Sequence, residues 1–503
     1  MSLMCGKLCS ALLAEHFGQI VQCVADDLFK HGTKPLAVIR ATTQLPLVKV
    51  KEALCVLIKH DFVVPTQNEK GMEYTLNYEK VLLILRYPRY MFFVKTNCGN
   101  EAEIMLEEVL KHGYLTASEV IIKTYKRIEQ SPSDLQLSVP ILKAKFELLT
   151  KNQFLMHCIY SDIVEETAKD KTIEKPDFSM PDLNLGAIGK LLQGTNADPG
   201  DSKIYWKVNF DRFTEDLRDQ IIVSAMGRRL DENASELMKQ LLYLMYLRTA
   251  SWSDTSNPIP LTEIKDVVRK LNFPVLAQYL DQYLRLIEED TSQFLKRVGD
   301  AAGGQYSVNM KEAFTQLAWT TLENIVMERF GSKGARIFRL VKNRKYIEQE
   351  QIQQLAMIPA KEAKHLTYTL LQENYLQMQE LKKAGVSSAP MKAFFLFHIE
   401  LNSVVRMEVE HCYHALYNII QRREHETTTN KRMMDKQLRM QTLTSNLKEH
   451  GATEEQLAEI EEMMTPLEKQ QLEKVQSRIK KLGVTELQID DTLFLLSMYL
   501  RYH

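Results

Sequence analysis

The sequence has no run of eighteen or so apolar residues anywhere along its 503 positions, so no segment reads as a membrane-spanning helix. No signal peptide is expected. The opening "MSLMCGKLCSALLAEHFGQIV" alternates polar and apolar residues as an amphipathic helix does, and an intracellular protein is expected. The seven cysteines are odd in number and scattered, which argues for reduced thiols and against a disulfide framework. Charge of either sign is not in excess: 64 basic residues stand against 65 acidic ones, a formal charge of −1. A protein that holds DNA unaided usually has a basic balance, because phosphate neutralisation supplies most of the affinity. Any nucleic-acid contact is therefore expected to be local and weak, with most of the surface made for protein partners.

Catalytic signatures are missing as well. There is no Gly-x-Ser-x-Gly elbow, HExxH helix or aspartate triplet for a polymerase magnesium. "GAIGKLLQG" fails as a phosphate loop, with Asn184 where glycine is required and Leu191 where a magnesium-binding hydroxyl is required. "GDAAGGQ" supplies turn glycines and not a dinucleotide fingerprint. His411, Cys412 and His414 lie close together, with His398 and His425 near in sequence, but no second ligand pair has zinc spacing. Cys5 and Cys9, one helical turn apart, read as small buried thiols. No active site, metal, cofactor, membrane contact or small-molecule substrate is expected.

What the chain does have is a repeat. In "IEQEQIQQLAMIPAKEAKHLTYTLLQENYLQMQEL" (Ile347 to Leu381) a short helix stops, a second restarts at Pro359, and a strand follows. Ala363, Leu366 and Leu370 form one apolar stripe; Lys361, Lys364, His365 and Tyr368 mostly fall off it, and Leu376, Met378 and Leu381 suit a strand edge. Helix, tight turn, helix, strand is the core of a winged helix. Apolar-proline pairs recur at Leu45-Pro46, Val139-Pro140, Phe273-Pro274 and Ile358-Pro359, each opening an apolar-rich helix. Each helix leads to an aromatic-led strand, at Phe62, Phe154, Phe294 and Tyr375, and then to a second strand: "MEYTLNY", "IYWKVN", "YSVNM" and "AFFLFHIE". The expected fold is mainly α with small β wings: four tandem winged-helix domains followed by a C-terminal helical hairpin or coiled coil.

The expected domains are residues 1–79, 80–208, 209–308 and 309–400, each a winged helix, then 401–503, a coiled-coil hairpin and final helix. The first helix is expected to run through "LCSALLAEHFGQIVQCVADDLFKHG" and stop at Gly32. The second wing carries a mostly flexible insertion at about 161–203, with prolines, six acidic residues in its first half and glycines in its second. After Glu400, Val405, Val409, Cys412, Leu416 and Ile419 recur at three and four spacing until Gly451. Capping boxes at "TEEQ" (Thr453), "TPLE" (Thr465) and "TELQ" (Thr485, after Gly483) are expected to start a return helix, restart it, and begin a last helix.

Candidate DNA contacts are the basic residues of the recognition helices and of "KNRK": Lys49, Lys51 and Lys59; Lys143 and Lys145; Lys342, Arg344 and Lys345; Lys361, Lys364 and His365. The third recognition helix offers Gln278, Asp281, Gln282 and Arg285 instead, which suit protein contact. Val405, Val409, Leu416 and Ile419 are protein-interface candidates on the C-terminal helices, and truncation after Glu400 is expected to impair assembly.

The phrases "LRYPRY", "IYWKVNFDRF", "RDQIIVSAM", "FGSKGARIFRLV", "MIPAKEAK", "EIEEMMTPLEKQQLE" and "DDTLFLL" together resemble the third subunit of the RNA polymerase III-specific set, the four-winged-helix subunit of its initiation heterotrimer. The resemblance covers nearly the whole chain in order. It departs between Tyr160 and Lys203, where the insertion is short and lacks a strongly basic run. It implies a non-catalytic nuclear subunit that joins two smaller specific subunits, docks on the polymerase III core clamp, and helps open promoter DNA, touching its single-stranded region. Similarity of architecture to the large subunit of the general factor TFIIE implies the same, and the family's role in sensing foreign DNA implies a cytoplasmic pool. An alternative reading is a winged-helix scaffold of the proteasome-lid or translation-initiation type that touches no DNA. That class places one winged helix after helical pairs, whereas here four wings are spread from Phe62 to Glu400. An autonomous repressor would need a basic chain and sequence-reading Arg or Asn residues.

Overall fold

The structure, a computed structural model, describes residues 2–68, 71–129, 138–158, 178–192, 194–195, 197–201, 204–271, 273–382, 393–449 and 464–503. Four modules repeat one plan of helix, short strand, helix, third helix and a two-stranded wing. In the first, helices Gln19–His31, Leu36–Thr43 and Leu47–Lys59 go with strands Lys34–Pro35, Val63–Asn68 and Gly71–Leu76. In the second they are Asn100–His112, Ala117–Glu129 and Val139–Lys151, with Tyr114–Thr116, Leu155–His157 and Tyr205–Val208. The third has Glu232–Arg248, Leu261–Arg269 and Pro274–Glu289, with Ile259–Pro260, Leu295–Gly299 and Gln305–Val308. The fourth has the kinked helix Met310–Arg344, then Gln349–Ala356 and Ala360–Gln372, with Ile347–Glu348, Gln377–Lys382 and Ala393–His398. Every sheet is antiparallel and runs in the order first, third, second strand.

The repeat is set by local chemistry. Proline opens each third helix, as the cap at Pro46 and Pro359 and within the first turn at Pro140 and Pro274. Pro359 thus sits one residue earlier than expected. Two to four residues beyond each third helix comes a left-handed residue, Asp61, Gln153, Gln293 or Asn374, with φ of 59°, 63°, 50° and 60°. The chain reverses there and buries the next side chain, Phe62, Phe154, Phe294 or Tyr375.

An asparagine then closes three of the modules. The amides of Asn77, Asn209 and Asn309 donate to the carbonyls of Phe62, Phe154 and Phe294 at 2.8, 2.9 and 3.0 Å. The same asparagines cap the helix that follows, through Glu79, Arg212 and Glu312 amides at 3.1, 3.4 and 3.1 Å.

The long opening helix is in fact two, Leu3–Phe17 and Gln19–His31, broken at Gly18 with φ 87° and ψ 172°. Gly99 (100°, 173°) and Gly331 (74°, −179°) break the corresponding helices of the second and fourth modules. That backbone region is essentially restricted to glycine, and helical periodicity does not reveal it because the apolar stripe resumes beyond the break.

The residues pack as two units. The first comprises Met1–Asp216 and Leu416–Leu487, the second Leu217–Ala415 and Gln488–His503. Within the first, Arg423 donates to Glu15 at 2.8 Å and to Glu486, and Arg89 donates to the Leu487 carbonyl. Within the second, Arg329 donates to the Tyr375 hydroxyl at 2.7 Å, which in turn donates to the buried Glu408.

The C-terminal helices are Leu401–Thr429, Lys431–Glu449 and Pro466–Tyr502. Lys436 pairs with Glu468 at 3.0 Å, and Glu426, ten residues earlier, lies 3.6 Å from Arg478, ten residues later, so the last helix runs antiparallel to the helices before it. The box at Thr465 forms, the Thr465 amide donating to Glu468 at 3.0 Å and the Glu468 amide to Thr465 Oγ1 at 3.3 Å. The expected box at Thr453 and the break at Gly451 lie outside the described residues. No new helix starts at Thr485: its hydroxyl bonds the Lys481 carbonyl at 2.9 Å inside a continuous helix. Gly483 costs that helix about 1 kcal/mol relative to alanine, and the Arg423–Glu486 pair and the Arg89 bond hold it through the weak point.

Asn309→Ala removes a cap and is expected to lower stability by about 1 kcal/mol in chemical denaturation. Asp27, nearly buried, accepts from Lys34 at 2.9 Å and from Thr42 at 2.8 Å. Burial pushes its carboxyl up, but the bonds from Lys34 and Thr42 outweigh this and hold it below its usual range. A depressed carboxyl contributes its full stabilisation above its unfolded pKa of about 4 and loses it as pH falls through the folded value. Asp27→Asn is therefore expected to cost roughly 3 kcal/mol at neutral pH, and the gap between the two melting curves should close in acid.

Candidate nucleic-acid interface

The candidate cations sort into free and tethered groups. Lys49 and Lys51 are exposed on the first module's third helix, and Lys361, Lys364 and His365 on the fourth's. Among the described residues none of these four lysines has an ion-pair partner. Arg344 and Lys345 are also exposed, and Lys345 ends its helix at φ 65°.

The others are engaged. Lys59 lies over the Tyr114 ring at 5.0 Å, and a Cβ on the neighbouring Gly113 would sit 2.3 Å from the Lys59 carbonyl oxygen. Lys145 donates to the Cys98 carbonyl at 2.7 Å, and Lys143 is half-buried. Lys342 pairs with Glu323 at 2.8 Å and lies over Trp319 at 4.9 Å. Burial raises the Glu323 carboxyl, but hydrogen bonds from Lys342 and Arg339 hold it below its usual range. Lys59, Lys145 and Lys342 thus fasten helices and are poorly placed to meet phosphate. Sequence position alone cannot separate a lysine on the solvent side of a helix from one that reaches back across it.

Tyr368 lies off the apolar stripe as the sequence pattern placed it, whereas the exposed rings of the fourth wing were not anticipated. Tyr368, four residues beyond Lys364, is exposed and meets Phe397 of the wing edge-on at 6.1 Å. Phe394 and Phe395, next along that strand, are exposed too. The visible signal was "FF" in a strand, since adjacent positions point to opposite faces and one core cannot bury both. The acidic residue among these lysines, Glu362, is occupied by Lys333 at 2.6 Å.

On the third module Gln278, Asp281, Gln282 and Arg285 are exposed, alongside exposed Val275, Tyr279 and Leu286. Asp281 lies 3.4 Å from Lys265. Val405, Val409 and Leu416, by contrast, are buried by the chain itself and Ile419 is half-buried. They are core residues, and an apolar stripe does not say whether its own chain or a partner covers it. Truncation after Glu400 would strip both units of buried residues, so loss of assembly would follow from unfolding alone.

His411 Nδ1 lies 3.4 Å from Glu408, and burial pushes the Cys412 thiol up to about 12. Among the described residues no cluster of three or more His, Cys, Asp or Glu could hold a metal ion. Cys5 and Cys9 are buried, and the Cys9 thiol is raised by its bond with Cys5 and by burial.

Four stretches match known families. Residues 7–64 match the RNA polymerase III subunit RPC82 helix-turn-helix domain, and 162–317 match RNA polymerase III subunit RPC82. Residues 322–399 match the POLR3C C-terminal winged-helix domain, and 432–495 match the helical hairpin domain of DNA-directed RNA polymerase III subunit RPC3. Over the full length the chain is similar to DNA-directed RNA polymerase III subunit RPC3 of Rattus norvegicus and of Homo sapiens, each 37% identical over 98% of both chains. The protein of that name from Danio rerio is 34% identical over the same share of each.

Replacing a tethered lysine and a free one should separate the two roles. Lys145→Ala and Lys342→Ala are each expected to lower stability by about 1–2 kcal/mol, and Lys361→Ala by less than about 0.5 kcal/mol, as read from denaturant midpoints.

Proposed function

Since the chain belongs to the family of DNA-directed RNA polymerase III subunit RPC3, we propose that it engages promoter DNA through the free lysines of its first and fourth modules while the polymerase holds it in place. It is a non-catalytic, polymerase III-specific subunit that acts in transcription initiation. The proposal adds the partners: two smaller specific subunits in a heterotrimer, the clamp of the polymerase core, and melted promoter DNA in the nucleus. A cytoplasmic pool that senses foreign DNA belongs to the same proposal and rests on the family resemblance alone.

One observation carries the DNA reading: Lys361 and Lys364 are exposed and unpaired beside exposed Tyr368. Cations beside aromatic rings suit a single strand, whose phosphates need neutralising and whose bases need a surface to stack on. With a formal charge of −1 the whole chain offers no long-range attraction to DNA. Contacts this few act only when the polymerase supplies a high effective concentration. The exposed polar and apolar mixture on the third module's recognition helix, with Gln278, Asp281, Gln282 and Arg285, fits a protein partner better.

Tagging the chain and purifying it from cell extract at moderate salt tests the assignment to the complex. The large polymerase III subunits are expected in near-stoichiometric amount, and recovery of proteasome-lid or translation factors in their place would refute it. Lys361→Glu with Lys364→Glu should lower open-complex formation on a transfer RNA promoter without releasing the subunit; unchanged transcription would refute the DNA assignment.

A further inference from the structure

Among the described residues, the second winged helix is the one whose wing carries a folded insertion. The first part of that insertion, through residue 177, lies outside the described residues. The second part, expected to be flexible, contains helix Leu185–Leu192, which packs against both the second helix Ala117–Glu129 and the third helix Val139–Lys151. Leu183, Ala187 and Ile188 are buried, Ile188 completely. The insertion also closes on itself. The Asn184 amide donates to the Pro199 carbonyl at 3.2 Å, and the Asn184 side chain accepts from the Gly186 and Ala187 amides at 3.0 and 3.2 Å.

Asp201 then pins it to the module. Only 1% exposed, its two carboxylate oxygens accept from the Ser118 amide at 2.7 Å and the Ser118 hydroxyl at 2.9 Å, in the first turn of the second helix. In the other three modules the residues that begin this helix, Pro35, Pro260 and Glu348, make no side-chain capping bond. Helix starts are among the groups that grip phosphates in protein–DNA complexes, and here a carboxylate from the chain itself fills that position.

We infer that the described second part of the insertion, with helix Leu185–Leu192 and Asp201, is a built-in cover, which occupies the face between the second and third helices of the second winged helix and keeps that module out of nucleic-acid contact. This rests on the reading that lysine-bearing third helices meet DNA. Lys143, half-buried on the covered third helix, contributes to binding only once Ile188 and Asp201 have left their places. The four modules are therefore not equivalent: the first and fourth are open, and the second is held shut.

The test uses the full chain and a labelled single-stranded oligonucleotide, followed by fluorescence anisotropy. Ile188→Asp with Asp201→Asn should release the cover, make Lys190 cleavable by trypsin, and tighten binding several-fold. Adding Lys143→Glu should abolish that gain, while Lys143→Glu in the covered chain should leave affinity unchanged. An unchanged affinity after Lys190 becomes cleavable overturns the inference, as does a gain that survives Lys143→Glu. If the double variant no longer unfolds cooperatively, Asp201→Asn alone is compared, with a smaller gain expected. Protection of Lys190 in that variant also counts against the cover, because these contacts would then not be what holds it. Failure of the underlying reading shows separately, as an affinity of the covered chain that Lys361→Glu with Lys364→Glu does not reduce.

Discussion

The backbone bond from asparagine to the aromatic carbonyl is the joint on which the tandem architecture depends. A left-handed residue turns the chain just beyond each third helix and places an aromatic ring in the core. In three modules an asparagine amide, at the end of the second wing strand, returns to that aromatic's carbonyl. The side chain of the same asparagine starts the next helix. One residue thus closes a module with its main chain and opens the next segment with its side chain. The fourth module lacks that asparagine and carries Tyr375, whose hydroxyl instead joins Arg329 and Glu408. The last repeat is tied to the long helix that follows it by a buried polar network, a costly arrangement unless every member is satisfied.

Near-neutral net charge and a DNA-related role are reconciled by where the cations are used. Arg423, Lys145, Lys342 and Arg329 are held by carboxylates, a carbonyl or a hydroxyl within their own units. Of the candidate lysines on recognition helices, Lys49, Lys51, Lys361 and Lys364 are the exposed ones without an ion pair among the described residues. Each contributes little alone, since an exposed charge is screened within about 8–10 Å at physiological salt. Under the proposed function, such a protein is delivered to DNA rather than finding it.

The sequence carried the repeat because each of its signals has a steric cause. Proline pre-sets the entry to the third helix, the αL corner precedes an aromatic, and the wing strands alternate. It even printed the joint, as "LNY", "VNF" and "VNM" around Asn77, Asn209 and Asn309, although the role of the asparagine emerges only when the capped amides are seen. The breaks at Gly18 and Gly331 were hidden because their helices resume in phase. Lys59, Lys145 and Lys342 read as DNA candidates because a sequence gives the helix face to within a residue or so but not how far a long flexible side chain reaches. Val405 and Leu416 read as interface residues for a related reason, since periodicity reports burial without naming what does the burying, and here the chain itself buries them.

The division of the chain into units has a consequence for its synthesis. The first unit takes residues up to Asp216 and then Leu416–Leu487, and the second is completed by the final Gln488–His503. A ribosome therefore makes roughly 200 residues, about 10–40 s of elongation, between the first two winged helices and the helices that complete their core. Throughout that interval Glu15 is without Arg423, and Arg89 is without the Leu487 carbonyl. Neither unit can reach its final packing until the nascent chain is nearly whole: a premature stop before Leu487 would leave both unfinished, and one beyond it the second alone.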